Sequence, residues 1–155
     1  MNNEDNYSFF GTIFSTQIKA QNLTGIEQVI ISKVDEQMPL ILDQLKEVVN
    51  INSCTSNIEG VKKVGSFFQK ELEKIGFVVN WVVLPDSLKR AGHLFAFHKG
   101  KKGKRILLLG HMDTVFDLDQ PFKPFSILGD SAATGQGVVD IKGGDIIMLA
   151  SLQSL

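Results

Sequence analysis

A histidine and an aspartate follow a continuous apolar run of the chain. The stretch 109–114 reads Leu-Gly-His-Met-Asp-Thr and continues directly from the run Ile106–Leu109. Imidazole is a favoured zinc ligand, and a strand that ends just before His111 would fix its backbone. Asp113 could bond the second ring nitrogen, which would set the tautomer and basicity of the ring. These residues alone leave a plain loop histidine beside a turn aspartate as the alternative.

A second candidate is an aspartate between glycines. The stretch 135–144 reads Gly-Gln-Gly-Val-Val-Asp-Ile-Lys-Gly-Gly. It places Asp140 at the start of a predicted helix, where the helix dipole favours a carboxylate. The glycines permit a close approach of the backbone. Such a carboxylate can bridge two metal ions, and the alternative that the residues leave open is a helix N-cap aspartate after a glycine turn.

The same stretch does not match two nucleotide-binding motifs. Gly135 and Gly137 lack the third glycine of the dinucleotide fingerprint, because Asp140 stands in its place. A phosphate-binding P-loop needs Ser or Thr after its lysine, whereas Gly143 follows Lys142. The glycines therefore indicate a turn into a helix.

Apolar periodicity predicts helices at both ends of the chain. Thr24 and Glu27 form a capping-box pattern in front of the first helix. Pro39 is expected to start or bend a second segment, because proline inside a helix removes a backbone hydrogen bond. The segment Glu59–Ile75 predicts an amphipathic helix, which Gly76 would end in a left-handed C-cap. The chain is predicted to be helical again from Ile141 onward.

The middle of the chain predicts strands. Phe77–Leu84 and Leu94–His98 are rich in strand-forming residues, and Lys99–Lys104 predicts a hairpin turn. The apolar run Ile106–Leu109 predicts a strand that is buried on both faces, and Phe116–Gly137 predicts a long loop. This order of elements indicates an α/β fold in which helices flank a mixed β-sheet. Site residues of such folds lie at strand ends.

Composition narrows the class of protein. A chain of 155 residues with 43% hydrophobic residues can form one domain, here predicted at 24–155 behind a loosely ordered leader at 1–23. Sixteen basic and seventeen acidic residues make nucleic acid and anionic membranes poor partners. No apolar run approaches the roughly 20 residues that span a bilayer. A single cysteine, Cys54, fits a reducing compartment, and we expect the cytoplasm.

Taken together, the two stretches resemble a known family. A strand followed by Gly-His-x-Asp-Thr-Val, and then by Gly-x-Gly-x-x-Asp-x-Lys-Gly-Gly, is similar to the zinc-dependent aminoacylase and glutamate carboxypeptidase family of metallopeptidases. Its members include acetylornithine deacetylase and succinyl-diaminopimelate desuccinylase. The resemblance runs from Asp35 to Leu155 and includes the stretch Val49–Ser53 and the pair Pro121-Phe122. It implies the truncated N-terminal part of a zinc-exopeptidase catalytic domain.

The resemblance assigns roles to residues of this chain. His111 would ligate one of two zinc ions, Asp140 would bridge them, and Asp113 would be the catalytic carboxylate that orients His111. A cis peptide bond is expected between Asp140 and Ile141. The family hydrolyses amide bonds of small N-acyl amino acids or dipeptide-like molecules by metal-activated water, so such a substrate is expected. No further cofactor is implied, and a homodimer is expected of the full-length protein.

Other parts of the family pattern are expected to be missing here. The glutamate general base, the further acidic ligands, a C-terminal histidine and the lid domain used for dimerisation would all lie beyond the matched segment. The chain alone is therefore expected to be inactive. The alternative is a non-catalytic half that assembles with a separate chain supplying the missing ligands and base. The aspartates at 117, 119, 130 and 145 are expected to be solvated charges, and His93 and His98 are expected at the surface.

Overall fold

The computed structural model describes residues 22–155. The predicted leader at 1–23 lies almost wholly outside the described residues, and a single catalytic domain at 24–155 stays a prediction. The described elements are the helices α1 (Gly25–Val49), α2 (Ile58–Lys74) and α3 (Gly143–Ser154), the strands β1 (Val78–Val82), β2 (His93–Phe97), β3 (Ser126–Leu128) and β4 (Ala132–Thr134), a short 3-10 turn at Asp86–Leu88, and a wide turn at Val138–Lys142. Within 22–155 no helix combines the length and apolar character needed to cross a bilayer.

Helix α1 runs without interruption through Pro39, so the prediction that this residue starts a second segment is wrong. The capping box is confirmed, since the Glu27 N–H donates to the Thr24 hydroxyl and the Thr24 N–H donates to the Glu27 carboxylate. Pro39 lies inside the helix and costs it one backbone hydrogen bond. The cap at one end, and the burial of Val48 and Val49 at the other, hold the helix together across that position.

Helix α2 and strand β1 form a tightly packed unit. The Asn57 side chain caps α2 by accepting a bond from the Gly60 N–H at 3.1 Å. Gly76 ends the segment with a φ of 84°, as predicted for a left-handed C-cap. The indole of Trp81 in β1 lies against Gly65 of α2, where a β-carbon would collide with the ring. The helix and the strand can therefore approach closely only with glycine at that position.

The strands form two separate antiparallel pairs rather than the predicted mixed sheet. β1 pairs with β2 in a register that places Asn80 opposite Phe95. β3 pairs with β4 inside the stretch 116–137, which was predicted to be a loop. Parallel pairing within residues 22–155 is limited to one isolated β-bridge, between Cys54 and Thr114. The expected combination of helices and strands is thus confirmed, whereas the single mixed sheet is not.

The prediction of a doubly buried strand at Ile106–Leu109 is also wrong for the described chain. These four residues form no strand ladder, and their exposure ranges from 49% to 83%. A strand is buried on both faces only when neighbouring strands and helices cover it. Residues 22–155 supply no strand that pairs with this run, so its apolar side chains face solvent.

The core lies where the three helices meet. It consists of Val48, Val64, Phe67, Phe68, Ile146 and Leu149. Among the partly buried side chains packed against it are Ile51, Leu94 and Met112. The core therefore contacts the segment that follows α1 and the stretch that carries His111.

Lys142 links the wide turn to the C-terminal end of α1. Its side chain is fully buried, and its ammonium donates to the carbonyl oxygens of Val48 and Ile51, each at 2.8 Å. These carbonyls lie at the C-terminal end of α1, where the helix dipole favours a cation. Burial lowers the pKa of Lys142 to about 8, although the charge of Asp145 acts to raise it. The two bonds fix the wide turn against α1.

We expect Lys142→Met to destabilise the chain by roughly 1–3 kcal/mol, because two carbonyls in the interior lose their donor while the buried charge is removed. Urea unfolding followed by circular dichroism measures this change. Lys62→Met is the matched control, since the Lys62 side chain is 51% exposed and lies 3.9 Å from Glu59. Equal midpoints for the two variants would contradict the structural role of Lys142.

Candidate metal centre

The stretch around His111 is anchored by its middle residue. Met112 packs against the core, and its sulfur lies beside Gly65 and Trp81. The side chains of its two neighbours, His111 and Asp113, are both partly exposed.

The wide turn brings Asp140 to the same place. The Lys142 N–H donates to the Gly137 carbonyl at 2.9 Å, and the turn opens enough for Asp140 and Ile141 to take non-helical torsions. The peptide bond between these two residues is cis, as expected. Asp140 Oδ1 lies 3.1 Å from His111 Nε2. Two residues that are 29 positions apart in the sequence thus converge on one point.

The pair of donors fits part of a zinc site. Zinc binds imidazole nitrogen and carboxylate oxygen at about 2.0–2.2 Å in tetrahedral geometry, which places two ligand atoms about 3.4 Å apart. The 3.1 Å between His111 Nε2 and Asp140 Oδ1 is close to that separation. Residues 22–155 contain no group of three His, Cys, Asp or Glu side chains that could hold a metal ion. Among the described residues, His111 and Asp140 are thus two donors of the kind that zinc binds, held about one ligand separation apart.

Asp113 approaches the other ring nitrogen in two ways. Its backbone oxygen lies 3.0 Å from His111 Nδ1, and its carboxylate Oδ1 lies 3.3 Å from the same nitrogen. Its second carboxylate oxygen accepts a bond of 2.6 Å from the hydroxyl of Thr55. Sequence reasoning expected the side chain alone to meet the ring and missed Thr55, because nothing local marks that residue among the polar residues after α1.

The surroundings of His111 favour the protonated ring. Burial acts to lower the pKa of His111, but the Asp113 backbone oxygen and the Asp140 carboxylate, together with the charges of both aspartates, outweigh burial and raise it. Two acceptors, one facing each ring nitrogen, stabilise the imidazolium. The same electron-rich arrangement would attract a divalent cation, whose ligands must be unprotonated.

Asp145 is not the solvated charge that was expected. It lies in the first turn of α3, but only 7% of the residue is exposed, and its Oδ2 has no hydrogen-bond partner among residues 22–155. Asp145 Oδ1 lies directly against Gly110, in the space that a β-carbon at this position would take. Burial raises the pKa of Asp145 to about 6, while the charges of His111 and Lys142 act to lower it. No sequence signal separates this aspartate from an exposed residue at a helix start.

The remaining candidates lie apart from this centre. Asp117, Asp119 and Asp130 are exposed, as predicted. His93 and His98 are exposed as well, and they lie near Phe95 and Phe77 respectively. Cys54 is a buried free cysteine. An open cavity of about 1440 Å³ runs from His111 and Asp113 along β2 and the apolar run 106–109. It exceeds the roughly 300–1,000 Å³ of small-molecule sites, so it does not by itself define a substrate.

Comparison with known proteins identifies the relatives of this chain. No protein-family model matches it. It is 33% identical over 135 aligned positions to carboxypeptidase G2 from Pseudomonas sp. (strain RS-16), and the alignment covers 83% of this chain. The chain is homologous to carboxypeptidase G2. The matched region covers 31% of that protein, so the chain spans about a third of the length of the curated relative. The resemblance inferred from the two motifs is thereby confirmed over a partial length.

A solved structure shows the same fold. The structure of the di-peptidase Dug1p from Saccharomyces cerevisiae superposes with a TM-score of 0.66 at 20% sequence identity. The superposition covers 84% of this chain and 31% of that one. The arrangement of helices and strands is therefore shared with part of a larger peptidase.

The buried Asp145 predicts a specific pH dependence. Its pKa of about 6 in the folded chain exceeds the ordinary value of 3.8, so the folded state binds this proton more tightly than the unfolded state. Its contribution to stability is therefore complete below about pH 4 and is lost as the pH rises through about 6. We expect Asp145→Asn to match the natural chain at pH 4 and to exceed its stability at pH 7 by roughly 1–3 kcal/mol.

Chemical denaturation at several pH values between 4 and 7 measures this difference. Asp119→Asn is the matched control, because Asp119 is exposed and its replacement should change stability little at any pH. A difference between the natural chain and Asp145→Asn that stays constant over this range would contradict the assignment.

Proposed function

We propose that this chain provides part of the di-zinc centre of an amide hydrolase of the aminoacylase and glutamate carboxypeptidase kind. The observation that carries the proposal is the 3.1 Å approach of His111 Nε2 and Asp140 Oδ1. These two residues belong to the two motifs on which the family resemblance rests. Homology to carboxypeptidase G2 over 83% of the chain supports the same assignment.

His111 and Asp140 would hold the metal, and the other described residues would position them. When bound, zinc would supply Lewis acidity toward water and an amide carbonyl. His111 would offer Nε2, because Asp113 faces Nδ1 and can keep the ring proton there. The wide turn would hold Asp140 opposite His111, and Lys142 would tie that turn to α1.

The names of the relatives support a proposal for the substrate class. A small N-acyl amino acid or a dipeptide-like molecule with a free carboxylate is the substrate we propose for the complete enzyme, since the relatives are named a carboxypeptidase and a di-peptidase. The general base and the remaining metal ligands would come from outside residues 22–155, because the described residues contain no complete set. We therefore propose that the 155-residue chain alone does not hydrolyse such substrates. Residence in the cytoplasm stays a prediction.

One observation supports a separate chain as the source of the remaining metal ligands and the general base. The run Ile106–Leu109 is apolar and exposed, with no strand paired to it among the described residues. A separate chain could pair with this run and bring the missing ligands and base. The coding sequence next to this one would distinguish the two cases. A second reading frame that begins with a strand and a Glu-Glu pair would favour assembly from two chains.

Zinc titration tests the proposed function. Calorimetry of the 155-residue chain is expected to show weak binding that His111→Ala or Asp140→Ala reduces at least about tenfold, because each change removes one of two ligands. His98→Ala is the matched control, since His98 is exposed and lies near Phe77. Equal binding by the His98 and His111 variants would contradict the metal site.

A hydrolysis assay on N-acyl amino acids tests the second part of the proposal. The zinc-loaded chain alone is expected to show no turnover above that of Asp140→Ala. Turnover that requires zinc and disappears in Asp140→Ala would show that these 155 residues contain a working base, and would overturn the claim of inactivity.

A further inference from the structure

Thr55 lies next to the candidate metal centre, beside Asp113. Its hydroxyl lies 2.6 Å from Asp113 Oδ2 and 3.3 Å from the Thr114 carbonyl oxygen. A hydroxyl has one proton to donate, and a bond of 2.5–2.7 Å is typical of a hydroxyl donating to a charged carboxylate. The proton of Thr55 is therefore directed to Asp113.

The backbone fixes Thr55 independently of that bond. The Thr55 N–H donates to the Thr114 carbonyl at 3.1 Å, and the Thr114 N–H donates to the Ser53 carbonyl at 2.8 Å. Ser53 and Thr114 are both buried. Main-chain bonds that join Thr114 to Ser53 and Thr55 thus hold the hydroxyl of Thr55 at a defined place beside Asp113.

The bond from Thr55 leaves one carboxylate oxygen for the histidine. With Oδ2 occupied, Oδ1 of Asp113 faces His111 Nδ1 at 3.3 Å. The side chain of Asp113 is partly exposed and could otherwise rotate toward water. We propose that Thr55 is a positioning residue of the metal centre, which acts through Asp113 to keep the ring proton of His111 on Nδ1 and Nε2 free for the metal. This inference rests on the proposed function, because it assumes that His111 binds a metal through Nε2.

A test without metal separates this role from simple support of the fold. Long-range proton–nitrogen NMR reports which ring nitrogen of neutral His111 carries the proton. In Thr55→Val the ratio of the Nδ1–H to the Nε2–H tautomer is expected to fall about fivefold, the size of one net hydrogen bond. Thr55→Ser keeps the hydroxyl and is expected to restore the ratio to within about twofold.

A double-mutant cycle shows whether Thr55 acts through Asp113. In an Asp113→Ala background, Thr55→Val is expected to have no further effect on the tautomer ratio, because residues that share one interaction are not additive. The matched control is Thr114→Val. Thr114 is also a buried threonine, but its hydroxyl has no hydrogen-bond partner within 22–155. This control is expected to leave the ratio unchanged.

Three results would overturn the proposal. They are an unchanged ratio in Thr55→Val, an equal change in Thr55→Val and Thr55→Ser, and an undiminished effect of Thr55→Val in the Asp113→Ala background. Zinc affinity adds a second measurement, with Thr55→Val expected to bind roughly tenfold more weakly than the natural chain. If the natural chain binds no zinc, the proposed function fails, while the tautomer ratio still decides whether Thr55 positions His111.

Discussion

The buried ammonium of Lys142 is the interaction on which the arrangement of the site depends. It donates to two carbonyls at the end of α1 and lies in the wide turn that carries Asp140. A charge in the interior is tolerated only when hydrogen bonds compensate for lost water. The carbonyls of Val48 and Ile51 provide those bonds, and the negative end of the helix dipole adds to them. The position of Asp140 is thereby coupled to the core of the protein.

The other half of the site has a different anchor. His111 is positioned by the packing of Met112 into the core and by the main-chain bonds between Thr114 and the residues after α1. The segment that follows α1 thus contacts both halves, since Ile51 accepts a bond from Lys142 and Thr55 donates one to Asp113. These contacts, rather than either motif alone, bring the two motifs together. They explain why His111 and Asp140, which are 29 positions apart in the sequence, lie next to each other.

Local features were predicted correctly because their causes are local. The capping box at Thr24 and the left-handed Gly76 depend on residues within one or two turns of the helix. The course of the chain at Pro39 could not be predicted in this way, because burial of the distant end of α1 outweighs the loss of one hydrogen bond. The hairpin of β3 and β4 was missed because its strands have three residues each and show no clear alternation.

Features that depend on tertiary contacts were predicted less well. The run Ile106–Leu109 has the composition of a buried strand, but burial requires neighbouring strands, and the composition of the run cannot reveal whether they are present. Asp145 is buried by the approach of α3 to Gly110, and Thr55 meets Asp113 across 58 positions of sequence. His111, Asp113 and Asp140 could be selected in advance because their motifs match a family. The residues that hold them in place became evident only from the fold.

Paramagnetic broadening by Mn²⁺ tests most directly whether the two motifs form one metal centre. Manganese accepts imidazole and carboxylate ligands and broadens the NMR signals of nuclei close to it. If the two motifs bind one metal ion together, backbone signals of residues 110–114 and 139–141 will broaden together at the lowest metal concentrations. Broadening of only one of these segments, or earlier broadening around the exposed aspartates 117 and 119, would contradict a shared centre.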